Sequence, residues 1–248
     1  MAKKEAGGKS SSQNDFLEPL APENVTATDV GTNRPYNDGA ITVTWTINEL
    51  SPAAESYTIN RTNGPGGVLS TGSLPTPIGG VYSVTIEGLS SGVEYVTSIS
   101  LTNSSGTSDA TAASAVTVTS VPQAPQNVSV TSETTPNQDD ISWTDGNNGG
   151  KAITSTYHVS SDTTTNPNPV TMTSNPWPEP EVGDTDQYYT LYHVNDNGTS
   201  LGTVSNTVTT LPPFFPPFFP PFFPPFFPPY FSYSIPWEAW EDLKEDEE

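Results

Sequence analysis

From residue 19 onward, apolar and polar residues alternate in short runs separated by turn-forming clusters. Ile41-Thr42-Val43-Thr44-Trp45 places Ile41, Val43 and Trp45 on one side, the period of two expected of a half-buried strand. Residues 24–30 precede it as a first strand, and Asn37-Asp38-Gly39 between the two is a turn signal. The alternation continues at 56–62 through Tyr57 and Ile59, at 81–87 through Tyr82, Val84 and Ile86, and at 95–101 through Thr97, Ile99 and Leu101. Residues 115–119 close the unit. Short strands at this spacing predict an antiparallel sandwich of two sheets.

The pattern then recurs. Ala124-Pro125-Gln126-Asn127-Val128 echoes Ala21-Pro22-Glu23-Asn24-Val25, and Ile141-Ser142-Trp143 echoes Val43-Thr44-Trp45. Residues 156–160 echo 56–60, with Tyr157 matching Tyr57; 188–194 echo 95–101; and Asn197-Gly198-Thr199 echoes Ser105-Gly106-Thr107. Self-similarity at roughly one domain length means tandem domains rather than a solenoid. The predicted organisation is a flexible arm over 1–18, one sandwich over 19–120 and a second over 121–211, joined by a short linker near 120–122. A Pro-Phe repeat follows over 212–231, then a short Trp-bearing helix with an acidic tail over 232–248.

The repeat PPFFPPFFPPFFPPFFPPYF has its own physics. Paired prolines lack N–H donors and exclude an α-helix or a central strand. The expected conformer is polyproline II, an extended rod of roughly 55 Å at about 3.1 Å per residue. A four-residue repeat on a three-residue helix makes no single face. Phe214, Phe223 and Phe226 share one azimuth, Phe215, Phe218 and Phe227 a second, and Phe219 and Phe222 the third. A spacer has no need of phenylalanine. Rings on all sides of a rod, extended by Tyr230 and Phe231, are expected to be buried by other chains or by sister copies. Beyond them, Pro236 suits the first helical position, and Trp237, Trp240 and Leu243 recur at a spacing of three. So short a helix is unstable alone, so its apolar side is expected to dock.

Composition narrows the partners. The 248 residues carry a net charge of −21, from 28 acidic and 7 basic side chains. Phosphate and anionic-lipid surfaces call for clustered Lys and Arg, so no nucleic-acid or membrane partner is expected. With no cysteine there is no disulfide, thiolate metal site or thiol nucleophile. The N-terminal stretch lacks the apolar core of a signal peptide, and no run is long and apolar enough to span a bilayer.

Leu89-Ser90-Ser91-Gly92-Val93-Glu94-Tyr95 resembles the E–F corner of fibronectin type III domains. There a Tyr hydroxyl bonds back to the corner backbone while the ring enters the core. The strand through Trp45 and the 103–106 turn are similar to that family. In the second copy Val182 stands six residues before Tyr188, and Gly149-Gly150-Lys151-Ala152-Ile153 resembles the family's loop before strand C. Residues 163–180 depart from the pattern. The resemblance spans roughly residues 19–211 and implies an all-β fold of two tandem fibronectin type III-like (immunoglobulin-like) sandwiches, an architecture that serves display and adhesion. Tandem domains of this kind, without cysteine or export signal and with a low-complexity attachment tail, also resemble accessory structural proteins of tailed bacteriophages. That resemblance implies synthesis in the host cytoplasm, a place on the capsid, neck or tail of a virion, and virion proteins or sister copies as partners. The competing class is a bacterial cell-surface or extracellular glycan- or protein-binding module.

Catalytic and metal candidates are few. By the parity above, the only two histidines, His158 and His193, face outward, opposite Tyr157 and Tyr192, and suggest neither a triad nor a closed metal site. The segments 145–149 and 184–186 are oxygen-rich but lack calcium-loop spacing, and Asn, Asp and Gly serve turns equally well. No cofactor and no enzyme activity are expected. Trp177, flanked by Pro176 and Pro178, is either an exposed stacking group for a host-surface glycan or a ring packed on its own sandwich.

Overall fold

The computed structural model describes residues 17–132, 138–161, 169–180 and 186–209, and every regular element among them is a strand. The expected Pro-Phe rod and C-terminal helix lie outside these residues, as does most of the expected N-terminal arm. Among the described residues no helix is long and apolar enough to cross a membrane.

The first sandwich uses β1 (Glu23–Asp29), β2 (Gly39–Thr46), β3 (Ser56–Arg61), β4 (Gly67–Ser73), β5 (Val81–Leu89), β6 (Glu94–Tyr95), β7 (Thr97–Asn103), β8 (Gly106–Thr107), β9 (Thr111–Ala112) and β10 (Val116–Thr117). One sheet runs β1-β2-β5 and the other β4-β3-β7-β8, with β9 also on β7 and β10 pairing β6. Alternation does its expected work: Ile41, Val43, Trp45, Ile59, Ile99 and Leu101 are fully buried between the sheets. The Trp45 ring stacks on Tyr82 with centroids 5.7 Å apart and lies 5.6 Å from Tyr57. The corner forms as the resemblance implied. Tyr95 is buried, its hydroxyl accepts the Ser90 N–H at 3.2 Å, and the Arg61 guanidinium sits 4.1 Å over its ring.

The second sandwich uses β11 (Gln126–Ser132), β12 (Gln138–Thr144), β13 (Ser155–Ser160), β14 (Val170–Met172), β15 (Trp177–Pro180), β16 (Asp186–Gln187), β17 (Tyr189–Asn195), β18 (Gly198–Thr199), β19 (Thr203–Val204) and β20 (Val208–Thr209). Its sheets run β11-β12-β15 and β14-β13-β17-β18, with β19 on β17 and β16 on β20. The two units therefore share one strand plan. The echoed Asn-Val has a backbone cause. Asn24 (φ 51°) and Asn127 (φ 49°) both take the left-handed conformation at the irregularity that opens β1 and β11. Asparagine tolerates that conformation better than most residues.

The registers correct the sequence alignment. Ser56 pairs with Thr102, the residue before the turn asparagine Asn103; Ser155 pairs with Val194, the residue before Asn195. Tyr57 therefore corresponds to Thr156 and not to Tyr157, and the parity of β13 is opposite to the expected one. His158 and His193 are fully buried, not outward-facing. Tyr157 and Tyr192 lie on the other face, stacked at 4.9 Å. The second corner shifts likewise. Gln187 pairs with Val208 as Tyr95 pairs with Val116, and is fully buried, whereas Tyr188 is 44% exposed. Val182 lies outside the described residues. The physical reason is a core that is polar in the second unit. Asp139 stands where the first has Ile41, His158 where it has Ile59, Glu179 where it has Ile86, and His193 where it has Leu101. With its outer face aromatic and its inner face ionisable, β13 reads inside out.

Candidate functional site: the joint between the sandwiches

Most of the polar core is paired within itself, as buried polar groups generally are, although His158 Nδ1 has no hydrogen-bond partner. Glu179 Oε2 meets His158 Nε2 at 2.9 Å and accepts the Trp177 indole N–H at 2.7 Å. The Tyr189 hydroxyl donates to Asp139 Oδ2 at 3.0 Å, its ring meets His158 edge-on at 5.2 Å, and Ser160 donates to Gln187 Oε1 at 3.0 Å. Trp177 is half-buried and packs against the apolar part of this core. Its N–H is spent inside the protein, so the ring contributes to the sandwich. Sequence reasoning missed Glu179 and Asp139 as interior groups. The signal was available in the 138–144 strand, whose alternation puts Asp139 in phase with Ile141.

His193 lies nearer the surface of the same unit. Its Nδ1 shares a 2.9 Å hydrogen bond with Thr156 Oγ1, and its Nε2 lies 3.6 Å from Asp145 Oδ1. Burial pushes the imidazole below its usual pKa, with the Asp145 carboxylate opposing that shift. Asp145 also accepts the Trp143 indole N–H at 3.0 Å.

The oxygen-rich segment 145–149 does structural work. Asn147 Oδ1 accepts the Gly149 N–H and Asn148 Oδ1 the Gly150 N–H, at 3.0 and 2.9 Å, the local turn bonds this residue type favours. Its carbonyls then grip the linker. Gln123 N–H donates to Asn147 O, and Ser120 N–H to Gly149 O, both at 2.8 Å. No group of three or more His, Cys, Asp or Glu side chains suited to a metal occurs among the described residues.

The joint is assembled from repeated parts. In the first sandwich Asn103 Oδ1 accepts from Ser105 and Gly106 while its Nδ2 holds the entering chain at Leu17 O, 2.9 Å away. Asn195 repeats this in the second. Its Oδ1 accepts from Asn197, and its Nδ2 holds Ser120 O and Asn148 O at 2.9 Å each. Asn197 Nδ2 adds bonds to Thr119 Oγ1 and Ser120 O. Across the joint, Asn33 N–H donates to Asn197 O at 2.7 Å and Val121 N–H to Arg34 O at 3.0 Å. Ser91 Oγ donates to Ser120 Oγ, which is itself fully buried, at 2.7 Å. Glycine is required where the backbones touch. Gly149 has φ 69°, and a Cβ there would stand 2.5 Å from Val121 O and 2.6 Å from Ser120 O. The linker backbone is thus restrained by hydrogen bonds to both neighbours.

Beside these bonds the joint opens into a cavity of about 550 Å³. Its apolar walls are Pro35, Tyr36, Val121, Pro122, Ala124 and Leu201, and its polar ones Asn33, Gln123 and Thr199. None is charged, although the chain carries a net charge of −21. Leu201 is 83% exposed at its rim. A second, smaller cavity of about 250 Å³ lies against Trp143, Asp145, Thr156 and Asn175. The residues expected to bind partners, Phe214, Phe215, Phe218, Phe219, Phe222, Phe223, Phe226, Phe227, Tyr230, Phe231, Trp237, Trp240 and Leu243, lie outside the described residues.

No protein-family model and no curated protein matches the sequence. Among solved structures the chain is similar to the chicken CNTN1 FN1–FN3 domains, at 17% identity and a TM-score of 0.39, covering 79% of this chain and 68% of that one. It is also similar to FN3tt, at 16% identity and a TM-score of 0.31 over 41% of this chain and 96% of that one, and to a mutant of FN3tt, at 18% and 0.31 over 41% and 97%.

Proposed function

We propose that this chain is a non-enzymatic display protein. Two sandwiches form one fixed projecting unit, and the Pro-Phe tract with the Trp-bearing C-terminal segment attaches it to other structural subunits or to its own copies. The observation that carries this reading is the joint. Ser120 is bonded from both sides, and Asn195 and Asn197 both hold its carbonyl, which supports a pair that moves as one body. An enzyme gains from a cleft that opens and closes; a projecting arm gains from stiffness. Both imidazoles are fully buried, with His158 Nε2 bonded to Glu179 and His193 Nδ1 to Thr156, which keeps them from an external substrate and supports a role without acid–base catalysis. The setting we propose is the outside of a bacteriophage virion, where an acidic, cysteine-free arm assembled in a reducing cytoplasm would project. Host-surface glycans or proteins are the ligands proposed for the projecting surface.

Deleting residues 212–248 tests the attachment. The truncated chain should keep its thermal unfolding midpoint and lose copurification with the native assembly. Full occupancy by the truncated chain would overturn the attachment reading.

A further inference from the structure

We propose that the uncharged cavity at the joint is a docking site for the Pro-Phe tract of a second copy of this chain. The inference deepens the attachment reading, and rests on it, by naming what receives the tract.

The shape and chemistry of the site support it. At about 550 Å³ it is the size of a small-ligand or peptide pocket. Pro35, Tyr36 and Pro122 present flat, apolar surfaces, with Val121 below them in the lining and Leu201 exposed at the edge. Proline-rich segments are recognised by grooves of this kind, lined with aromatic and apolar side chains. The walls are already fixed: Asn33 is tied to Asn197 and Val121 to Arg34 through backbone bonds, so little ordering entropy is lost when a segment enters.

Charge selects the occupant. A lining free of charge on a chain of net charge −21 accepts an uncharged segment and disfavours an acidic one such as residues 238–248. Residues 212–231 contain only proline, phenylalanine and one tyrosine. They are the longest uncharged apolar stretch of the chain, present in every copy at the same concentration as the cavity. Because the unit repeats, several registers offer the same contacts, which raises apparent affinity without a new contact. A tract on one copy meeting a joint on the next is a head-to-tail contact, and repetition of such a contact gives a ring or an open filament.

The test uses the full chain and sedimentation velocity over a wide concentration range. Three variants accompany it: Leu201→Glu in the cavity rim, Leu50→Glu as a matched exposed control at 79% exposure, and a tract variant with Phe218, Phe219, Phe222 and Phe223 changed to serine. The wild type is expected to associate. L201E should weaken association about tenfold or more, as expected for losing one large apolar contact to a charge. L50E should have no effect, and the tract variant should behave like L201E. Association that survives L201E but fails in the tract variant would overturn the cavity as receptor and leave the attachment reading intact. Association unaffected by either change would overturn self-docking through the tract, leaving attachment to other subunits to the truncation experiment. A wild type that stays monomeric at all concentrations would overturn self-docking, while the truncation experiment would still decide attachment.

Discussion

His158 and Glu179 share a 2.9 Å hydrogen bond in the interior of the second sandwich, and neither side chain is more than 4% exposed. The same carboxylate oxygen holds the indole N–H of Trp177. Two strands, β13 through His158 and β15 through Trp177, thus converge on one acidic side chain, and β15 is in turn paired with β12.

Removing that side chain should therefore be costly. Glu179→Ala leaves the His158 nitrogen and the Trp177 N–H without their acceptor. We expect a loss of about 3 kcal/mol, a large share of a marginal domain stability. Glu179→Gln retains an acceptor and should cost roughly 1 kcal/mol. Urea denaturation followed by tryptophan fluorescence checks both. Equal, near-zero effects would show that the network does not hold the sheets together.

His193 gives the second sandwich a pH dependence. Burial lowers its folded-state pKa below the ordinary value of 6.5, so the unfolded state binds more protons in the acid range. Stability attributable to His193 is therefore intact above pH 6.5 and declines as pH falls from there toward the folded pKa; below both values the slope vanishes. His193→Gln, which cannot ionise, should flatten that part of the stability–pH curve. An unchanged slope in the variant would assign the acid sensitivity elsewhere.

The corner tyrosine of the first sandwich offers a smaller effect. Tyr95→Phe removes the acceptor of the Ser90 N–H but keeps the ring under Arg61. The expected cost is about 1 kcal/mol, read from the thermal midpoint. A loss comparable to that of Glu179→Ala would mean that the corner does more than this single bond.

Much of the first sandwich could be read from its sequence, because its inner positions are apolar and its outer ones polar. Ile41, Val43 and Trp45 announce the face they bury, and the Leu89–Tyr95 corner announces the turn. The second unit resisted the same reading for a physical reason. Periodicity locates whichever face is more apolar, and in β13 that is the outer one, where Tyr157 stacks on Tyr192. The inner residues Thr156, His158 and Ser160 are tolerated in a core because each has a hydrogen-bond partner on another strand. Those partners are distant in sequence. Glu179 is separated from His158 by most of the 163–180 segment, which departs from the strand pattern. The joint was legible only as a short linker. That Asn195 and Asn197 face Ser120 depends on the end-to-end placement of the two units, which no local pattern encodes.

The joint variants should act on geometry more than on either core. Gly149→Ala forces a side chain into a left-handed position against two carbonyl oxygens, at a cost of about 1–3 kcal/mol or more. Asn195→Ala removes the grip on Ser120 O and Asn148 O. Each should increase proteolysis at the linker while leaving the circular dichroism of the sheets unchanged. Linker cleavage no faster than in the parent would place the constraint elsewhere.

The fixed pair itself is open to a direct distance measurement. The chain has no cysteine, so spin labels can be placed singly at Ile78→Cys in the first sandwich and Val204→Cys in the second, both well exposed. Pulsed electron–electron resonance on the doubly labelled chain should give one narrow distance distribution, broadened when Asn195→Ala is added. A broad distribution in the otherwise unmodified chain would mean that the sandwiches swing independently, and would contradict the fixed joint on which the display reading and the docking cavity both depend.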